Sequence, residues 1–110
     1  MIETGRDCLI YLDEKKALDP VFMDLREVNN YLEYFLIATG NSQTHCRALA
    51  RDITKFLYQK GLKESGSHDL SSDWIILDFG GLIVHIFTEE LRSYYQLEKL
   101  WADAEIINLN

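Results

Sequence analysis

With 110 residues and 47% apolar content, the chain can fill one compact core and is too short for two, so residues 1–110 are read as a single domain. Eleven Lys and Arg against eighteen Asp and Glu give a formal net charge of -7, which argues against a surface that grips phosphates and suits one that meets a basic protein. The apolar runs are a few residues long, where a membrane helix needs roughly 20. Glu3, Asp7 and Asp13 interrupt any leader-like run, so the mature chain is expected to start near Met1.

A first helix is predicted from about Gly5 to Leu18, with Thr4 capping the amide of Asp7, Leu9 and Leu12 on one side, and Lys15 and Lys16 in the last turn. Asp19-Pro20 supplies its stop. Val21-Phe22-Met23 reads as a short buried strand. Tyr34 to Ala38, a run without charge, reads as an interior strand covered on both faces.

Cys46, Leu49, Ala50, Ile53, Phe56 and Leu57 recur at three- and four-residue steps, the stripe of an amphipathic helix. Arg47, Arg51, Asp52, Lys55 and Gln59 make its solvated side, and Gly61 is placed to end it in a left-handed conformation. Leu62 to Asp73 is polar and is expected to form a weak edge strand or an exposed loop.

Gly80-Gly81 between two β-rich runs predicts a hairpin in which Phe79 faces Leu82. The same register pairs Asp78 with Ile83, Leu77 with Val84, Ile76 with His85, Ile75 with Ile86, and Trp74 with Phe87. Ile75, Leu77, Phe79, Leu82, Val84 and Ile86 then share a face that must lie under helices. Trp74, Ile76, Asp78, Ile83, His85 and Phe87 share the other, a mixture suited to recognition. Thr88 offers a cap to a further helix that begins with Glu89 and Glu90 and runs on through Leu91, Tyr94, Tyr95 and Leu97 or Glu98. After Leu100-Trp101, Ile106 and Ile107 could cover a sheet edge. Cys8 and Cys46 fall on buried helix faces without metal-ligand spacing, as suits a reducing cytosol.

The segment from Asp73 to Trp101, DWIILDFGGLIVHIFTEELRSYYQLEKLW, resembles the ribosomal silencing factor family, also called the Iojap family. The likeness is carried by Trp74, Asp78-Phe79-Gly80, Val84-His85-Ile86-Phe87, Arg92 with Tyr95, and Leu97-Glu98-Lys99-Leu100-Trp101. Lys16-Ala17, Asp24-Leu25-Arg26 and Tyr34 to Ser42 extend it upstream in the same order. Phe79 stands where the family has a tyrosine and Lys99 where it has an arginine, and Lys63 to Ser72 lacks the family's Glu-Gly pair.

The resemblance implies an α/β domain with a mixed β-sheet packed by helices, similar to the nucleotidyltransferase fold but without transferase activity. It also implies a partner, the large ribosomal subunit through that subunit's protein number fourteen. The acidic charge and the short apolar runs imply little direct nucleic-acid binding and no membrane contact, the reduced cysteines suit a cytoplasmic protein, and no cofactor is expected. On the large subunit the chain would block joining of the small subunit sterically. Trp74, Asp78, Phe79, His85, Phe87, Tyr95, Leu100 and Trp101 are the expected contacts, with Glu89, Glu90 and Glu98 aiding docking to a basic partner.

Other readings attach to the same residues. Thr39-Gly40-Asn41-Ser42 ends a strand and opens a helix as phosphate-binding turns do, so Gly40-Asn41-Ser42 with Asp78 could serve a nucleotide-binding or nucleotidyl-transfer enzyme. The strong preference for Ser as a helix cap makes a plain helix start the better account, and no second carboxylate stands beside Asp78 in the hairpin. Asp78 and His85, diagonal on one face, suit a structural or partner role better than acid-base chemistry, since no nucleophile accompanies them. His45, His68 and His85 with the cysteines match no zinc spacing. Trp74 and Trp101 are equally at home in a core. A general adaptor or homodimer that uses the exposed hairpin face is the third reading.

Overall fold

The computed structural model describes residues 1–66 and 69–108. Its elements are α1 (Ile2–Glu14), β1 (Leu18–Asp24), β2 (Tyr34–Gly40), α2 (Gln43–Gln59), β3 (Trp74–Asp78), β4 (Leu82–Thr88), α3 (Glu89–Tyr95), α4 (Leu97–Leu100) and β5 (Glu105–Ile106). The strands form one sheet in the order β3-β4-β2-β1-β5, in which β2 and β4 run parallel and the other pairs antiparallel. The expected mixed sheet in a single α/β domain is what the chain forms. β2 is central and buried along its whole length, which is why its sequence tolerates no charge.

The hairpin register agrees with the sequence pattern pair for pair, from Trp74 opposite Phe87 to Asp78 opposite Ile83. Ile75, Leu77, Phe79, Leu82, Val84 and Ile86 are all buried under α1 and α2, together with Cys8, Leu12, Cys46, Leu49, Ile53 and Leu57. The opposite face carries a smaller core of Met23, Leu25, Phe35, Ile37, Phe87 and Leu97 beneath α3, α4 and the segment that follows. The sheet is thus fully covered on one side and only partly on the other.

Three local expectations are corrected. The first helix begins at Ile2 and ends at Glu14, with Thr4 inside it and no side-chain cap at Met1. Lys15 caps its end and Lys16 turns left-handed at φ 68°, so the chain is already extended again at Leu18. Thr88 precedes α3 but caps it with no side-chain hydrogen bond, because it is the last residue of β4 and its amide donates to the Asp73 carbonyl. The last helical signal divides in two at Gln96, which is left-handed at φ 48°.

Ser42 caps α2 by accepting from the His45 amide at 3.0 Å, and Gly61 follows its end at φ 92°. The described part of Leu62 to Asp73 forms neither helix nor strand; Ser67 and His68 lie outside the described residues. The tail does cover an edge: β5 pairs with Met23 and Asp24, and the Ile107 amide donates to the Phe22 carbonyl. Cys8 and Cys46 are free and buried.

Candidate docking site

On the half-covered face, strand alternation lines up Trp74 and Ile76 of β3, Ile83, His85 and Phe87 of β4, and Phe35 of β2. Their rings form a continuous aromatic group. Trp74 lies 5.3 Å from Phe87, 5.9 Å from His85 and 4.8 Å from Tyr95 between ring centroids. Phe35 meets the His85 ring at 4.5 Å and Trp101 at 6.3 Å, both edge to face. The Trp74 indole N–H donates to His85 Nδ1 at 3.1 Å.

Around this group the surface is open and apolar. Ile76 is 49% exposed, Tyr95 51%, Leu100 72% and Tyr94 77%. Isolated exposed apolar side chains are ordinary, but a contiguous group on one face marks an interaction surface. Exposed carboxylates lie on the same elements: Asp78 at the hairpin tip, whose Oδ1 accepts from the Gly80 amide at 2.8 Å, and Glu89 and Glu90 in the first turn of α3. Glu89 also lines a cleft of about 320 Å³ with Asp19, Arg92, Gln96 and Glu98.

Arg92 fixes the two short helices that frame the site. It donates to both carboxylate oxygens of Glu98, at 3.0 and 3.4 Å, to Thr39 Oγ1 at 2.9 Å and to the Leu18 carbonyl at 3.3 Å. One side chain therefore ties α3 to α4, β2 and β1. Burial pushes the His85 imidazole down to about 4, so it is neutral at neutral pH. Burial, and next the Asp7 charge, push the Cys8 thiol up to about 12; burial raises Cys46 as well.

The residues expected as contacts do not all share this surface. Trp74, Tyr95 and Trp101 join it through their ring contacts, while Leu100, next to Trp101, and Asp78 and Glu90 are exposed. His85 and Phe87 lie beneath, buried, and Glu98 is engaged by Arg92. Phe79 is on the other face of the sheet in the main core, as its alternation with Leu77 requires. Sequence reasoning did not single out Phe35 or Tyr94 as site residues, nor the structural role of Arg92; Ile76 it placed on the face but did not name as a contact. The spacing of Tyr94 and Tyr95 along α3 carried a usable signal, whereas Phe35 reaches the site only through the β2–β4 pairing.

Asp78 and His85 make no hydrogen bond to each other: Asp78 turns to Gly80 and His85 to Trp74. The Gly40-Asn41-Ser42 turn is occupied by its own helix. The Asn41 amide donates to His45 Nδ1 at 3.0 Å, and a Cβ on Gly40 would come within 2.6 Å of Cys46 Sγ, so the glycine serves close strand-to-helix packing. The nucleotide-binding alternative is not favoured. Among the described residues no group of three or more His, Cys, Asp or Glu is placed to hold a metal ion.

A model of the family described as "Ribosomal silencing factor during starvation" matches residues 1–110. The chain belongs to the ribosomal silencing factor family. It is similar to the ribosomal silencing factor of Bacillus subtilis, 35% identical over 99 residues, which are 89% of this chain and 84% of the relative. A mouse protein named "Mitochondrial assembly of ribosomal large subunit protein 1" is 28% identical across 82% of this chain and 41% of its own length. A crystal structure of a Chromobacterium violaceum protein superposes with a TM-score of 0.83 at 28% identity, covering 91% of this chain and 84% of that one. The silencing-factor chain thus shares both sequence and fold with its relatives across most of its length.

Proposed function

We propose that this chain is a non-catalytic, cytoplasmic translation repressor that binds the large ribosomal subunit and blocks its joining to the small subunit. The observation that carries the reading is the half-covered sheet face, where Trp74, Tyr95 and Trp101 join one aromatic group and Leu100, Asp78, Glu89 and Glu90 are exposed on the same elements. Such a surface is built for a basic protein: buried aromatics supply affinity, and peripheral carboxylates steer encounter. Protein number fourteen of the large subunit is the partner the family resemblance implies. The family description and the mouse relative's name both support a role on the ribosome.

The mechanism is steric. A domain with extents of 34 × 32 × 29 Å, seated where the subunits meet, excludes the small subunit without covalent chemistry. Affinity rests on a few central side chains, so the surrounding polar contacts act mainly to exclude water. A homodimer through the same face would compete with this docking, and the net charge of -7 opposes it at low salt.

Co-sedimentation with isolated large and small subunits, followed by a subunit-joining assay, tests the proposal. Selective binding to the large subunit with reduced joining is expected. Absence of binding at moderate salt, where buried contacts still hold, would overturn it.

A further inference from the structure

His85 is an expensive residue for a β-strand interior. It is buried between Phe35 and Trp74, and its Nε2 meets no hydrogen-bond partner among the described residues. Indole N–H is a donor only, so the 3.1 Å contact from Trp74 requires His85 Nδ1 to accept and places the imidazole proton on Nε2. A buried N–H without an acceptor is destabilising, and an apolar ring of similar shape would avoid that penalty. Packing alone therefore gives no reason for an imidazole here. The bond to Trp74 does.

Trp74 needs such a bond. It sits at the start of β3, which is an edge strand of the sheet among the described residues. Its other neighbours, Phe87 and Tyr95, touch it at ring tilts of 37° and 46°, contacts that permit rotation far more readily than a hydrogen bond does. Tyr95 is itself half-exposed at the end of α3 and followed by the left-handed Gln96. The indole N–H to Nδ1 bond is the one directional tie on the Trp74 ring among the described residues.

We infer that His85 is a positioning residue: it does not touch the partner but holds the Trp74 indole in the orientation that the docking face presents. The inference rests on the docking reading above. It assigns His85 a cost in stability and a return in recognition, a trade found where function opposes optimal packing. Only a neutral imidazole can play this part, because a protonated one has no acceptor at Nδ1.

The test uses the full chain with His85→Phe and His85→Asn. Phe fills the site without an acceptor; Asn places its side-chain oxygen near the position of Nδ1. Three quantities are measured: the melting temperature, hydrogen exchange of the Trp74 indole proton by NMR, and affinity for isolated large subunits. His85→Phe should melt at or above the wild-type temperature, expose the indole proton to rapid exchange and bind subunits about tenfold more weakly, on the scale of an interface anchor. His85→Asn should protect the indole proton again and recover most of that affinity despite lower stability. Wild-type affinity in His85→Phe, an indole proton that stays protected there, or affinities that simply follow melting temperature would each overturn the inference. If the wild-type chain binds no subunit yet the indole results hold, the silencing proposal fails and the positioning of Trp74 by His85 stands.

Discussion

Arg92 and Glu98 form a two-pronged ion pair, with Nη2 3.0 Å and Nε 3.4 Å from the two carboxylate oxygens, that straps α4 back onto α3 across the left-handed Gln96. The remaining reach of Arg92, to Thr39 Oγ1 and the Leu18 carbonyl, anchors that strap to the sheet. The pair positions Leu100 and Trp101, and with them one side of the proposed docking face.

Arg92→Ala should therefore cost about 1–3 kcal/mol of stability, because the Arg92 side chain is largely buried and its partners lose charge-assisted hydrogen bonds. Arg92→Lys should recover only part of this, since an ammonium cannot present the planar fork. Chemical denaturation of the three forms measures both.

Acid should weaken the fold through two groups with lowered values. His85 is held near 4 by burial, against an ordinary imidazole value of 6.5, so the unfolded chain binds more protons than the folded one between those values. Its contribution is complete above about pH 6.5 and is lost as pH falls towards 4, a change of about 3 kcal/mol at 1.36 kcal/mol per pKa unit. Asp24 is lowered mainly by its hydrogen bond from the Arg26 side chain, so its contribution is present above the usual carboxylate range and fades below it. Melting temperature against pH should fall between pH 6.5 and 4, and His85→Phe should flatten that part of the curve.

Gly5→Ala separates helix propensity from packing. Alanine favours a helix interior by about 1 kcal/mol over glycine. In α1, however, a Cβ at position 5 would run into the ring of Phe22, which is fully buried and stacked on Tyr34, so the ring must shift to admit it. Overpacking of this kind costs about 1–3 kcal/mol, so the variant should be less stable despite the better helix former. A rise in melting temperature would contradict the tight α1–β1 contact.

Leu100→Asp should leave the fold nearly unchanged, within about 0.5 kcal/mol, because the side chain is mostly exposed. Large-subunit binding should fall more than about tenfold, as a charge is forced into the apolar part of the interface. Unchanged co-sedimentation would remove Leu100 from the docking face.

Much of this protein follows from sequence periodicity. The period of two across Trp74 to Phe87 and the Gly80-Gly81 turn determined the hairpin register and assigned each side chain to a face, because a slip by one residue would expose the entire core set. The three- and four-residue spacing from Cys46 to Leu57 determined α2 and its buried stripe. What only the tertiary structure decided is which distant strands meet. The parallel pairing of β2 with β4 brings Phe35 to His85 and Thr39 within reach of Arg92. The folding back of α4 at Gln96 sets Trp101 against Phe35 and leaves Leu100 in solvent. Long-range pairing depends on the summed burial of many side chains and on loop closure, neither of which is written in a local pattern. Ring orientation within the site depends on those pairings in turn. The sequence by itself therefore determined which residues could form the proposed docking face, and the tertiary structure decided which of them are exposed on that side of the sheet, which are buried there and which, like Phe79, belong to the other side.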